Sequence, residues 1–215
     1  MSENDEIKFY YYDANGFGMI SRAILFAVKE KFDNIKVSLN EWETLKKSEK
    51  FEYQNLPCLE FKGKYYSQAH SIELFLGKTY NLYGNSIEDE YQINSMLDTF
   101  DDLYNIYKHI YMPLNDEDKE HLDDYKRAMI NKIEYFMNIF DNKYIKYGEK
   151  KYFLGENFSV ADIFLTCVIT LYCDKLNCKN LLEEKFPKLF KIINNVKKNE
   201  LKEFFQNAYN NESNY

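Results

Sequence analysis

Tyr11 closes a short alternating stretch, Ile7–Asp13, and stands just before the glycine-broken ANGFG. A phenolic hydroxyl at a strand's end, beside a loop that opens a helix, can donate a hydrogen bond to an anion there. The same residue, one of 20 tyrosines, also reads as a half-buried strand side chain, with Tyr10 and Tyr12 as register rivals. Gln68-Ala69 opens a stretch with Ile72, Phe75, Leu76 and Thr79 at helical spacing. The free N–H groups of such a start bind anions, and Gln68 adds an amide; a plain polar helix start is the other reading. Pro57 sits inside the strand-like EYQNLPCLEF, where a proline removes a ladder donor and belongs to an edge, a strand start or a bulge. Trp42 is the only tryptophan, and its polar neighbours Glu41, Glu43 and Thr44 predict a partly exposed edge position.

Other chemistries are disfavoured by composition. Cys58, Cys167, Cys173 and Cys178 form no CxxC pair, which predicts unbridged thiols in a reducing cytosol. The three histidines are scattered and join no cysteine cluster, so no metal is expected. A net charge of −7 disfavours a nucleic-acid partner. The start MSENDEIKF lacks the basic and apolar regions of a signal peptide, and no apolar run is long enough to predict a membrane span. The expected location is cytoplasmic.

The elements that must position these residues change grammar along the chain. Ile7–Asp13 alternates as a strand and SRAILFAVKEKF is helical. Ile35, Val37 and Leu39 predict a second strand, and the polar Glu41–Tyr53 is irregular or weakly helical. Pro57–Phe61 and Lys64–Ser67 flank the Lys62-Gly63 turn as a hairpin, and a helix follows from Gln68. Residues 1–82 thus read as an α/β domain with a mixed sheet. Residues 83–215 read as all-helical, with Ser159-Val160-Ala161-Asp162 as a capping box before an apolar run and one last helix from Pro187 through Phe204.

The β-α-β/β-β-α order, a proline opening the third strand, a polar pair before the next helix and the S-x-A-D box resemble the cytosolic glutathione transferase family, and its sigma-type branch most. The resemblance covers nearly the whole chain. It implies a thioredoxin-like N-terminal domain with a mixed four-stranded sheet, followed by an all-α domain that carries the acceptor-substrate site.

The family's Y-F-x-x-x-G start is similar to Tyr11-Tyr12-Asp13-Ala14-Asn15-Gly16, which implies Tyr11 as the catalytic residue. Its W-x-x-x-K pair is matched by Trp42 and Lys46, and its Q-[LMV]-P stretch by Asn55-Leu56-Pro57, with Asn in place of Gln. The family proline is cis, so that Leu56 would offer its N–H and C=O to the cysteine of glutathione as an added strand does. Gln68 and Ala69 match the γ-glutamyl end, with Ala69 where the family has serine. In Leu97-Asp98-Thr99-Phe100-Asp101-Asp102 the resemblance implies a homodimer in which Asp102 reaches the neighbour's glutathione. Phe17, Tyr107, Lys108 and Tyr111 are the implied acceptor-site residues; the helical spacing of the latter three also suits core packing. Asn15-Gly16-Phe17 replaces the R-G-R of sigma-type loops, which predicts weaker thiolate stabilisation. The implied function is conjugation of glutathione to small apolar electrophiles, a detoxification chemistry that needs glutathione and no metal. The rivals are a glutathione-dependent isomerase or peroxidase, and a non-catalytic binder of haem or other apolar ligands.

Overall fold

The computed structural model describes residues 6–111 and 121–209, the side chain of Tyr111 apart. The chain separates into two compact units that are not contiguous in sequence. One runs to Leu82 and takes in the chain from Lys197; the other is Tyr83–Val196.

The first unit is built on a four-stranded sheet: β1 (Ile7–Tyr11), β2 (Asp33–Lys36), β3 (Cys58–Phe61) and β4 (Lys64–Ser67). The order is β2-β1-β3-β4. β1 pairs parallel with β2 and antiparallel with β3, and β3 pairs antiparallel with β4. The register sets Tyr10 opposite Cys58, so Tyr11 is the first residue of β1 beyond the β3 ladder. Helices α1 (Met19–Ala27) and α3 (Ala69–Thr79) pack together. Across the strand alternation, Val37, Trp42, Phe51 and Cys58 form a second buried cluster.

Two expectations about the stretch after β1 are corrected. The second strand ends at Lys36, and Leu39, expected to continue it, is 73% exposed. Ser38 instead starts helix α2 (Leu39–Leu45), the stretch expected to be irregular or weakly helical. Its hydroxyl accepts from the Glu41 N–H while the Glu41 carboxylate accepts from the Ser38 N–H, a reciprocal capping box. The second correction concerns Trp42, which is buried. On a helix its polar neighbours at i±1 point elsewhere, and Glu41, Glu43 and Thr44 are indeed exposed.

The second unit holds α4 (Ile87–Tyr111), α5 (Leu122–Lys146), α6 (Val160–Leu176), α7 (Lys179–Lys185) and most of α8 (Pro187–Lys198). α6 is buried on every face from Val160 to Cys173, and α4 and α5 pack against it. Its N-terminus carries the expected box. Asp162, fully buried, accepts from the Ser159 N–H, the Ser159 hydroxyl and the Phe153 N–H. The single last helix expected from Pro187 is two: α9 (Lys202–Asn207) follows α8 after a break and packs on α1 in the first unit. No described helix is long and apolar enough to cross a membrane.

Candidate active site

Tyr11 lies at the end of β1 with its side chain 7% exposed. Its ring runs along the 3₁₀ turn Gly16–Gly18. The reason for two glycines is contact. A Cβ at Gly16 would stand 2.6 Å from the Tyr11 hydroxyl, and one at Gly18 would stand 2.5 Å from the ring edge. With the turn this close, the Phe17 N–H donates to the Tyr11 hydroxyl at 2.9 Å. A hydroxyl that accepts from an amide is the better donor for it, because the amide also stabilises the developing phenolate.

Arg22 supplies a cation that lies outside the sequence motifs. It is one of only two arginines in the chain, and it lies on the otherwise apolar α1, 1% exposed. Its guanidinium carbon is 5.6 Å from the Tyr11 ring centroid. It also donates to the carbonyls of Ala14 and Asn15, at 2.6 and 3.4 Å, and so holds the loop by its backbone. The loop Asn15-Gly16-Phe17 has no positive side chain, and Arg22 sets a cation against the Tyr11 ring. A buried arginine in an apolar helix run was the available signal.

The neighbouring segments supply polar backbone. The Leu56–Pro57 bond is cis. Among the described residues no group takes the Leu56 N–H or C=O, and Leu56 is half-buried at the end of β3. Asn55 is half-buried beside it, and its side-chain oxygen is buried with no hydrogen-bond partner among the described residues.

Gln68, the N-cap of α3, is exposed and has φ 72° and ψ 117°, a conformation rare outside glycine. Its side chain makes no capping bond. Ala69 follows, buried, as the first helical residue. The initial N–H groups of an α-helix have no intrahelical acceptor, so this turn presents donors and a partial positive charge. His70 pairs with the buried Glu73 at 2.8 Å, a structural role for both.

Other expected residues are engaged within the chain. Trp42 packs edge-on against Phe51, ring centroids 5.0 Å apart. Lys46 caps the end of α2 and pairs with Glu43 at 2.6 Å. Asp102 is exposed on α4 and pairs with Lys132 at 3.2 Å. Tyr107 is buried against Tyr172, ring centroids 5.5 Å apart, as core packing would have it. Lys108 donates to Asn105 at 3.1 Å. Phe17 is half-buried in the turn beside Tyr11, and the side chain of Tyr111 lies outside the described residues. Among the described residues no cluster of His, Cys, Asp or Glu could hold a metal ion.

A family model described as Glutathione S-transferase, C-terminal domain, matches residues 97–208. The curated protein "Probable glutathione S-transferase 7" of Caenorhabditis elegans is 27% identical over 181 residues, 84% of this chain and 85% of that protein. "Probable glutathione S-transferase 5" of the same species is 32% identical over 95 residues, and the matched stretch spans only 46% of its length. Among solved structures, monomeric Na-GST-3, a glutathione s-transferase from the hookworm Necator americanus, superposes with a TM-score of 0.81. That match is 24% identical and covers 94% of this chain and 96% of that one.

Proposed function

The chain belongs to the glutathione S-transferase family, and from that premise we propose that it is a cytoplasmic, sigma-like glutathione transferase that adds the glutathione thiolate to small apolar electrophiles. The observation that carries this reading is the Tyr11 hydroxyl. It accepts from the Phe17 N–H, has a guanidinium over its ring, and lies at the mouth of the turn that opens α1. A free thiol has a pKa of about 8.5, so only a few per cent is ionised at neutral pH. Lowering that value by two units takes roughly 2.7 kcal/mol of differential stabilisation. A hydrogen bond from Tyr11 to the sulfur, made stronger by the amide and the cation behind it, is of that order.

The remaining residues would hold the tripeptide. Leu56 offers both its backbone groups to the cysteine, as an added strand would. Gln68 and the N–H groups at Ala69 face the γ-glutamyl carboxylate. Lys46, on exchanging Glu43 for the ligand, neutralises the glycyl carboxylate, with Asn55 and Trp42 flanking. Asp102 acts from the partner subunit in a homodimer. The site needs glutathione as co-substrate and no metal.

Retention on immobilised glutathione, followed by an aryl-halide conjugation assay on the eluate, tests the reading. Retention with turnover is expected. Retention without turnover would move the reading to a binder of apolar ligands such as haem. The missing serine hydroxyl at Ala69 is the observation that favours that second reading. Turnover of hydroperoxides or isomerisable substrates alone would point to a peroxidase or isomerase on the same scaffold.

A further inference from the structure

Helix α6 ends in a way that brings two thiols together. Asn177 adopts the left-handed conformation, φ 51° and ψ 39°, immediately after the last helical residue. The Cys178 N–H then turns back to the Cys173 carbonyl at 3.2 Å. This is the six-residue closure of a Schellman ending, which habitually puts the side chains of its first and last residues in contact. In most proteins that contact is hydrophobic; here it is a cysteine on each side. The closure thus sets the Cys173 and Cys178 side chains beside one another at the helix end.

We propose that Cys173 and Cys178 form a reversible dithiol–disulfide site that reacts with small hydroperoxides, the Schellman ending holding the two sulfurs together beneath an exposed rim. The rim is Asp174, Asn177 and Lys179, all exposed, while Cys173 and Cys178 are 2% and 5% exposed. A small neutral oxidant reaches sulfurs at that depth more readily than a peptide disulfide would.

The other cysteines lack this arrangement. The Cys58 thiol donates to the Lys50 carbonyl, and burial pushes it up to about 11. Cys167 lies in the middle of α6, wholly buried. Cys178, by contrast, is held below the ordinary thiol value by the adjoining Cys173 thiol. Cys178, the more exposed of the two at 5% against 2% and the residue that opens α7, suits the role of attacking sulfur, with Cys173 as resolving thiol.

The chemistry balances in two steps. The Cys178 thiolate takes the terminal oxygen of the hydroperoxide as the O–O bond breaks. The alkoxide, or hydroxide from hydrogen peroxide, leaves with a proton from water, and Cys178 is a sulfenic acid. The Cys173 sulfur then attacks Cys178, the S–S bond forms, and the hydroxyl departs as water with the Cys173 proton. The two thiols lose two electrons and the peroxide gains them.

Peptide mapping of the intact protein after hydrogen peroxide tests the site. Trypsin cuts at Lys175, between the two cysteines, so the disulfide appears as two joined peptides that dithiothreitol separates. That linked species is expected in the unmodified chain. In Cys173→Ser the resolving thiol is gone, and a sulfenic acid trap should label Cys178 about ten-fold faster than Cys58 or Cys167. Absence of the linked peptides, with all four cysteines oxidised at similar rates, would overturn the proposal. Labelling of Cys173→Ser anywhere but Cys178 would overturn the order of attack. The unmodified chain decides the first point even if the variant folds poorly.

Discussion

Tyr11 carries most of what a single side chain can do here, and its removal is the sharpest probe. In Tyr11→Phe the ring still packs along Gly16 and Gly18, and the Phe17 N–H loses its acceptor. Conjugation should fall roughly 10–100-fold, corresponding to about 1.5–3 kcal/mol of a charge-assisted hydrogen bond, while retention on immobilised glutathione persists. Tyr10→Phe is the control. The Tyr10 hydroxyl donates to Glu60 at 2.8 Å and its ring meets Phe51, so the variant should lose about 1 kcal/mol of stability and keep its turnover. Loss of turnover in the control with full activity in Tyr11→Phe would move the donor to the other face of the strand. At this scale the sequence was legible where a residue type is rare in its setting: a proline in a strand, glycines after a tyrosine. Arg22 stands out in the sequence as an arginine within an apolar helix run, but its partners, the backbone carbonyls of Ala14 and Asn15 and the face of a ring, leave no pattern in residue types to say what it does.

Element boundaries decide which way those residues point. Taken by adjacency, the polar neighbours of Trp42 suggest an edge; with the Ser38–Glu41 box in place they fall on the outer side of a helix. The S-x-x-E spacing from Ser38 to Glu41 carries that helix start in the sequence. The start of α3 offers a prediction of its own. Gln68 holds a backbone conformation that costs a non-glycine residue of order 1 kcal/mol or more, and no side-chain bond to the helix offsets it. Gln68→Gly should therefore raise the urea midpoint while weakening glutathione affinity by about 0.5–1.5 kcal/mol, the worth of the lost amide contact. A variant unchanged in both would show that neither strain nor ligand contact resides there.

The start of α6 makes a pH-dependent contribution. Burial pushes Asp162 up to about 7 from an ordinary 3.8, against the pull of the three groups that donate to it. The folded state thus holds a proton that the unfolded chain releases. The associated stability is fully present below about pH 4 and is lost as pH rises through 7. The thermal midpoint should fall by a few degrees between pH 5 and pH 8. Asp162→Asn, which cannot titrate, should be less stable throughout and flatter across that window. A midpoint that rises across the window in the unmodified chain would contradict the burial argument.

For the whole molecule, assembly is the property most open to measurement. The homodimer proposed for Asp102 requires a two-fold arrangement in which each subunit completes its neighbour's site. Light scattering at micromolar concentration should give a dimer, and Asp102→Ala should weaken glutathione binding while costing little stability, since the exposed pair with Lys132 is worth at most about 1 kcal/mol. A monomer would remove this role from Asp102. The long helices α4, α5 and α6 were legible from apolar periodicity, and the mixed sheet from the order of strands and helices. The return of the last helix to the first unit was not, because Phe204 and Phe205 fit an amphipathic pattern whichever partner they pack on.

That return sets an order of events during synthesis. α9 packs on α1, the Phe204 ring centroid lies 5.8 Å from that of Phe26, and the Asn15 amide donates to the Tyr209 carbonyl, so the loop that cradles Tyr11 is closed by residues translated long after it. The 114 residues from Tyr83 to Val196 emerge in between. At typical elongation rates of about 5–20 residues per second, the first strand waits on the order of ten seconds for its final contact. A nascent chain stalled before α9 would expose Phe26 and leave the turn beside Tyr11 unfastened. Emergence of α9, and not the appearance of the first 82 residues, is then the moment at which the turn beside Tyr11 is fastened.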